Sequence, residues 1–131
     1  MATYAMTKVV SGPRESVKEK VIGALKDEGF GVLTQIDMQA TLKEKIGAQI
    51  EPYEILGACN PRLADEAIGA DRAIGLLLPC NVVLRDVQDG AEVSILDPEG
   101  MFSVVEPKVK ARLARVADEA KNRLRRVLAA L

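Results

Sequence analysis

From Pro107 to Leu131 apolar residues recur every three or four positions: Val109, Leu113, Val116, Ala120, Leu124, Val127 or Leu128, and Leu131. This is the stripe of an amphipathic helix. From Val109 onward it runs roughly 35 Å at 1.5 Å per residue. The chain has 131 residues, enough for a single domain over 1–131, and a domain of that length has a radius of gyration of only about 14 Å. The helix therefore spans the fold from end to end, and its far end is placed to reach a partner subunit.

The rest of the chain alternates strand and helix signals. Tyr4 to Val10 reads as a strand. Pro13 suits a helix's first turn, with Ser11 or Gly12 near the cap, and Val17, Val21, Ala24 and Leu25 form its stripe up to a stop at Gly29. Phe30 to Asp37 alternates as a strand, setting Phe30, Val32, Thr34 and Ile36 against Gly31, Leu33, Gln35 and Asp37. Met38 to Ile46 has short helical character ending at Gly47. Glu51 to Cys59 reads as a strand with both faces partly covered. Asn60-Pro61 pairs a capping residue with a first-position proline, opening a helix that ends at Gly69. Ala73 to Leu77 reads as a further strand. Val82 to Gln88 and Ala91 to Asp97 flank Asp89-Gly90, which predicts a type I′ hairpin pairing Asp86 with Val93, Leu84 with Ile95 and Val82 with Asp97. Asp97-Pro98-Glu99-Gly100 reads as a loop. This order predicts an α+β domain, a largely antiparallel sheet backed by helices and closed by the long C-terminal helix.

Composition narrows the chemistry. Hydrophobic residues make up 48% of the chain and aromatic ones 3%, so the core is aliphatic. There is no histidine, which removes Ser-His, Cys-His and His-metal arrangements together. The net charge of -1 excludes a strongly basic nucleic-acid module. Residues 108–131 nevertheless carry eight bases against Asp118 and Glu119, a local net of +6. A helix that grips phosphates is one reading. A solvated face, with cations near the helix C-terminus and acidic neighbours, is the plainer one. No aromatic platform accompanies the bases for stacking. No cofactor is expected: Gly29-Phe30-Gly31 precedes a strand rather than a helix, and no phosphate-cradling loop is present.

Met1 to Lys8 lacks the charged leader and apolar run of a signal peptide, and no stretch reaches the roughly 18 apolar residues of a membrane span. A cytoplasmic protein with free thiols is expected. Cys59 closes a strand just before Asn60-Pro61, near a helix N-terminus whose N–H groups and dipole can lower a thiol pKa. Cys80 shares the strand parity of Val82 and Leu84, and so the face of Asp97. Cys59, Asn60, Cys80 and Asp97 are the candidate ligand site. Small cysteines are also ordinary core residues. Zinc is poorly supported, because it takes four ligands. Two thiolates could hold a soft ion such as Cu(I), or a dimer could supply four. Met38 and Met101 are most simply read as packing. Glu54, Asp86, Asp97 and Glu99 supply carboxylates whose spacing singles out no catalytic pair, although burial of Asp86 or Asp97 on the apolar hairpin face would raise its pKa.

Three blocks, Tyr53-Glu54-Ile55-Leu56-Gly57-Ala58-Cys59-Asn60-Pro61, Gly75-Leu76-Leu77-Leu78-Pro79-Cys80-Asn81-Val82, and Asp97-Pro98 followed by Met101, resemble the domain-of-unknown-function 302 family. The resemblance covers nearly the whole chain. It implies a TATA-binding-protein-like α+β domain, a curved antiparallel sheet against helices, and a homodimer. It implies no DNA binding, since fold does not carry function. It transfers no catalytic residue. Residues and resemblance together favour a small soluble homodimeric protein that binds an unknown small molecule near Cys59 and Cys80. The alternatives are a thiol-dependent redox or soft-metal-handling protein, with Cys59 as nucleophile or ligand and Cys80 as resolving partner, and a structural or interaction module.

Overall fold

The computed structural model describes residues 4–131. The expectation for the leader therefore lies, at Met1 to Thr3, outside the described residues. Five strands form one antiparallel sheet: β1 (Ala5–Val10), β2 (Gly31–Asp37), β3 (Tyr53–Cys59), β4 (Cys80–Val87) and β5 (Gly90–Leu96), in the order β1-β5-β4-β3-β2. Five α-helices accompany them: α1 (Arg14–Asp27), α2 (Met38–Ile46), α3 (Pro61–Ala70), the short α4 (Pro98–Met101) and the 23-residue α5 (Pro107–Ala129). The architecture is the expected α+β one, an antiparallel sheet with a long C-terminal helix.

Local chemistry explains most element ends. Asn60 caps α3, its Oδ1 accepting from Leu63 N at 3.2 Å, and Pro61 follows at the first helical position. Gly47 ends α2 in the left-handed conformation, φ 67°. At α1 the cap position is taken by Pro13 itself, extended at ψ 143° and with no side-chain cap bond, rather than by Ser11 or Gly12.

Two hydrophobic clusters share the interior. One joins Val17, Val21 and Leu25 of α1 to Leu56, Ala58, Val82, Leu84, Val93 and Ile95 of the sheet. The other joins Leu63 and Ala67 of α3 to Ile74, Cys80, Met101 and Phe102. The stripe of α5 serves both: Leu124 and Val127 enter the first, Leu113, Val116, Ala117 and Ala120 the second. Its C-terminus is pinned to the sheet by Lys8 of β1, whose ammonium donates to the Leu128 and Leu131 carbonyls at 3.3 and 3.0 Å. Carbonyls at a helix C-terminus lack intrahelical partners and favour a cation.

Several expectations are corrected. Arg72–Leu77 is a 3-10 helix, not a strand: Asp71 Oδ1 accepts from Ala73 N at 3.1 Å and turns the chain, and only Ile74 of the segment is buried. Asp97-Pro98-Glu99-Gly100 begins the short α4 rather than forming a loop. The hairpin register is shifted by two residues, pairing Val82 with Ile95, Leu84 with Val93 and Asp86 with Ala91. Among the described residues no non-glycine has positive φ, so Gln88 and Asp89 cannot form a type I′ turn, which needs two such residues. Gly90, at φ 145°, is instead a strand residue paired with Val87, and a Cβ there would overlap the Val10 carbonyl oxygen of β1. The glycine serves a close strand approach. A shift of two preserves the faces, so the apolar set still points to the core. In β2 a register shift between Val32 and Thr34 breaks the simple alternation, turning Gln35 rather than Thr34 toward the face of Leu56 and leaving Leu33 exposed.

Candidate functional site

Antiparallel pairing of β3 with β4 sets Cys80 opposite Ala58, so Cys59 lies one residue along the neighbouring strand. Both sulfurs are free thiols; Cys80 is buried and Cys59 half-buried. Cys59, Asn60 and Cys80 line one cavity of about 30 Å³. It lies at the seam of the two clusters, since Phe30 and Ala58 of the first and Leu63, Ala67 and Val116 of the second are also in its wall. A ligand pocket for an ordinary organic molecule measures roughly 300–1,000 Å³. This one is about tenfold smaller, with room for an ion or a group of about two heavy atoms.

The cavity is almost entirely apolar, and that decides the state of the thiols. Burial pushes Cys80 up from the ordinary 9.0 to about 11, and the nearby Cys59 adds to the rise. Burial raises Cys59 as well. The lowering that the helix N-terminus beside Cys59 predicts does not emerge: burial alone sets the direction, because it penalises the thiolate.

Asn60 is held by its capping bond, and its amide lies over Gly29: a Cβ at Gly29 would come 3.0 Å from Asn60 Nδ2 and 3.7 Å from Arg123 Nη1. Arg123 donates from Nη1 to the Glu28 carbonyl at 3.0 Å. Its Nε is buried without a hydrogen-bond partner, with a Glu119 carboxylate oxygen 3.6 Å away. The Arg123 guanidinium thus lies near Asn60 beside Gly29, outside the cavity wall. Nothing in the local sequence announces it, because Arg123 and Asn60 meet only when α5 docks.

Asp97 is not in the cavity wall; its neighbour Pro98 is. The Asp97 carboxylate caps α4, accepting from Glu99 N at 2.9 Å, and pairs with Lys121 at 3.1 Å. Glu99 and then Asp97 hold the Lys121 ammonium above its ordinary pKa. Met101 does line the cavity, adding a thioether to the two thiols. Of the other carboxylates, Glu54 is buried beneath α1 and paired with Arg14 and, at 3.1 Å, with Lys18, while Asp86 accepts from Arg14 at 3.1 Å. These ion pairs clamp α1 to the sheet. Among the described residues no group of three or more Cys, Asp or Glu forms a metal cluster, and no helix is long and apolar enough to cross a membrane.

Fold and cavity together define a class: an α+β protein of one antiparallel sheet, with a small thiol-lined hollow where two cores meet. The chain belongs to the family described as Domain of unknown function DUF302, whose sequence model matches residues 6–131. A crystal structure of an uncharacterized conserved DUF302 protein from Bacillus stearothermophilus is similar at 29% identity, with a TM-score of 0.77 over 95% of this chain and 98% of that one. No curated protein matches the chain.

Proposed function

We propose that this chain is a small-ligand-binding protein whose site is the cavity walled by Cys59, Asn60 and Cys80. One observation carries the reading: residues from β3, the start of α3 and the start of β4 converge on one hollow that the surrounding aliphatic packing leaves unfilled. Asp97 supports the site at one remove, by fixing α4 and so placing Pro98 and Met101. Two free thiols suit a reducing compartment, and the reading places the protein in the cytoplasm. It also takes the homodimer, with the sheet face opposite the helices as its surface; Tyr53, Ile55 and Val83 are half-buried there and Val9 is 50% exposed. The redox alternative is the weaker one, since a nucleophilic cysteine needs a lowered pKa and burial raises both.

The test is graded thiol access in the folded protein. A small reagent, methyl methanethiolsulfonate, is expected to modify both cysteines while circular dichroism stays native, and a bulky maleimide to reach Cys59 alone. If Cys80 resists the small reagent until urea unfolds the chain, the cavity is closed and the site is withdrawn.

A further inference from the structure

We infer that Cys59, Cys80 and Met101 form a binding site for a soft monovalent metal ion of the Cu(I) class. The inference deepens the pocket reading above and rests on it. Three sulfur-bearing residues, from the end of β3, the start of β4 and the end of α4, line the same cavity, and about 30 Å³ suits a single ion rather than an organic molecule. The donor set then selects the ion. No carboxylate or imidazole lines the cavity, and Asn60 is the sole polar side chain in its wall, so hard cations find no ligands there. Thiolate and thioether sulfurs favour Cu(I), whereas zinc takes four N, O or S ligands.

Charge balance supports the same assignment. On binding, each thiol releases its proton to water as its sulfur–metal bond forms, and the Met101 thioether contributes a lone pair with no proton. The metal keeps its oxidation state, and the product carries one net negative charge. Such a charge in an apolar hollow requires a positive counterpart. The N-terminus of the ten-residue α3, which begins immediately after Asn60, supplies one beside it. Access is graded too. Half-buried Cys59 receives the ion first, and buried Cys80 and Met101 complete its shell.

The experiment titrates the reduced, metal-free full chain with Cu(I) under anaerobic conditions against a chromogenic Cu(I) chelator. The wild type is expected to withhold one ion per chain. Cys59→Ser and Cys80→Ser are expected to surrender it at a chelator concentration where the wild type does not, and Met101→Leu to bind but release earlier. Full release by the wild type, or retention that survives Cys59→Ser, overturns the inference. Should Cys80→Ser fail to fold, the half-buried Cys59→Ser and the thiol-preserving Met101→Leu decide it. If the wild type releases Cu(I) while methyl methanethiolsulfonate still reaches both thiols, only the metal assignment fails; if the thiols are unreactive as well, the pocket falls with it.

Discussion

Cys80 shows how a single buried group couples stability to pH. In the unfolded chain its thiol titrates near the ordinary 9.0, and in the fold near 11, because burial penalises the thiolate. The neutral thiol is the form the fold accepts, so this contribution is complete below pH 9 and is lost as pH rises from 9 to 11. At about 1.4 kcal/mol per pKa unit the loss is about 2–3 kcal/mol. Urea midpoints of the wild type are expected to fall across that window, and those of Cys80→Ala to fall less. Lys18 is also raised, chiefly by its bond to Glu54, but its loss comes above 10.5 and is common to both proteins. Glu54 is the second residue of this kind. Glu54→Gln leaves Arg14 and Lys18 without their shared carboxylate beneath α1. Removing one partner of such a buried pair is expected to cost about 3–5 kcal/mol in denaturant unfolding.

At the scale of elements, the sequence is informative wherever the cause is local. Asn60-Pro61 opens α3 as read, because a cap bond spans three residues; Asn60→Ala is expected to lower stability by about 1 kcal/mol in the same assay. The stripe of α5 likewise buries Leu113, Val116, Ala120, Leu124 and Val127 as its spacing predicts, while Val109 and Leu131 at its two ends are half-buried. Turn and register depend on distant chain. Asp89-Gly90 carries the signature of a type I′ hairpin, yet Gly90 is needed because the Val10 carbonyl crowds its Cα from β1. Gly90→Ala, with φ 145° and no room for a Cβ, is expected to destabilise by about 1–3 kcal/mol or more. Gly75→Ala, with nothing within 4 Å of the added carbon, serves as the near-neutral control. The β2 bulge was hidden for a similar reason: its partner strand selects it, not the period of its own side chains.

For the molecule as a whole, the concentration of bases in α5 is offset by the fold. Arg115 pairs with Glu66 and Glu119, Lys121 with Asp97 and Glu99, Arg123 with Glu119, and Arg126 with Glu28, while Arg112 donates to the Gly69 and Ala70 carbonyls. Bases engaged in this way release few counterions on meeting a phosphate backbone. Retention of duplex DNA is therefore expected to be weak at low salt and absent near physiological salt, as an electrophoretic shift series would show. The proposed homodimer predicts twice the 14.1 kDa chain mass in native mass spectrometry, with a charge introduced by Val83→Lys on the open sheet face favouring the monomer.

The amino-acid sequence by itself determined most of the inventory of this protein: the five sheet strands, the longer helices, the Asn60 cap, an aliphatic interior, the long amphipathic C-terminal helix, and the family. Each follows from composition or from contacts within a turn or two of chain. Only the tertiary structure decided what the two cysteines share. Pairing of Ala58 with Cys80 across β3 and β4, the arrival of Met101 on α4, and the docking of α5 with Arg123 are long-range events. Which distant residues meet is settled by how whole faces pack, and a hollow left between two cores belongs to no single segment of the chain.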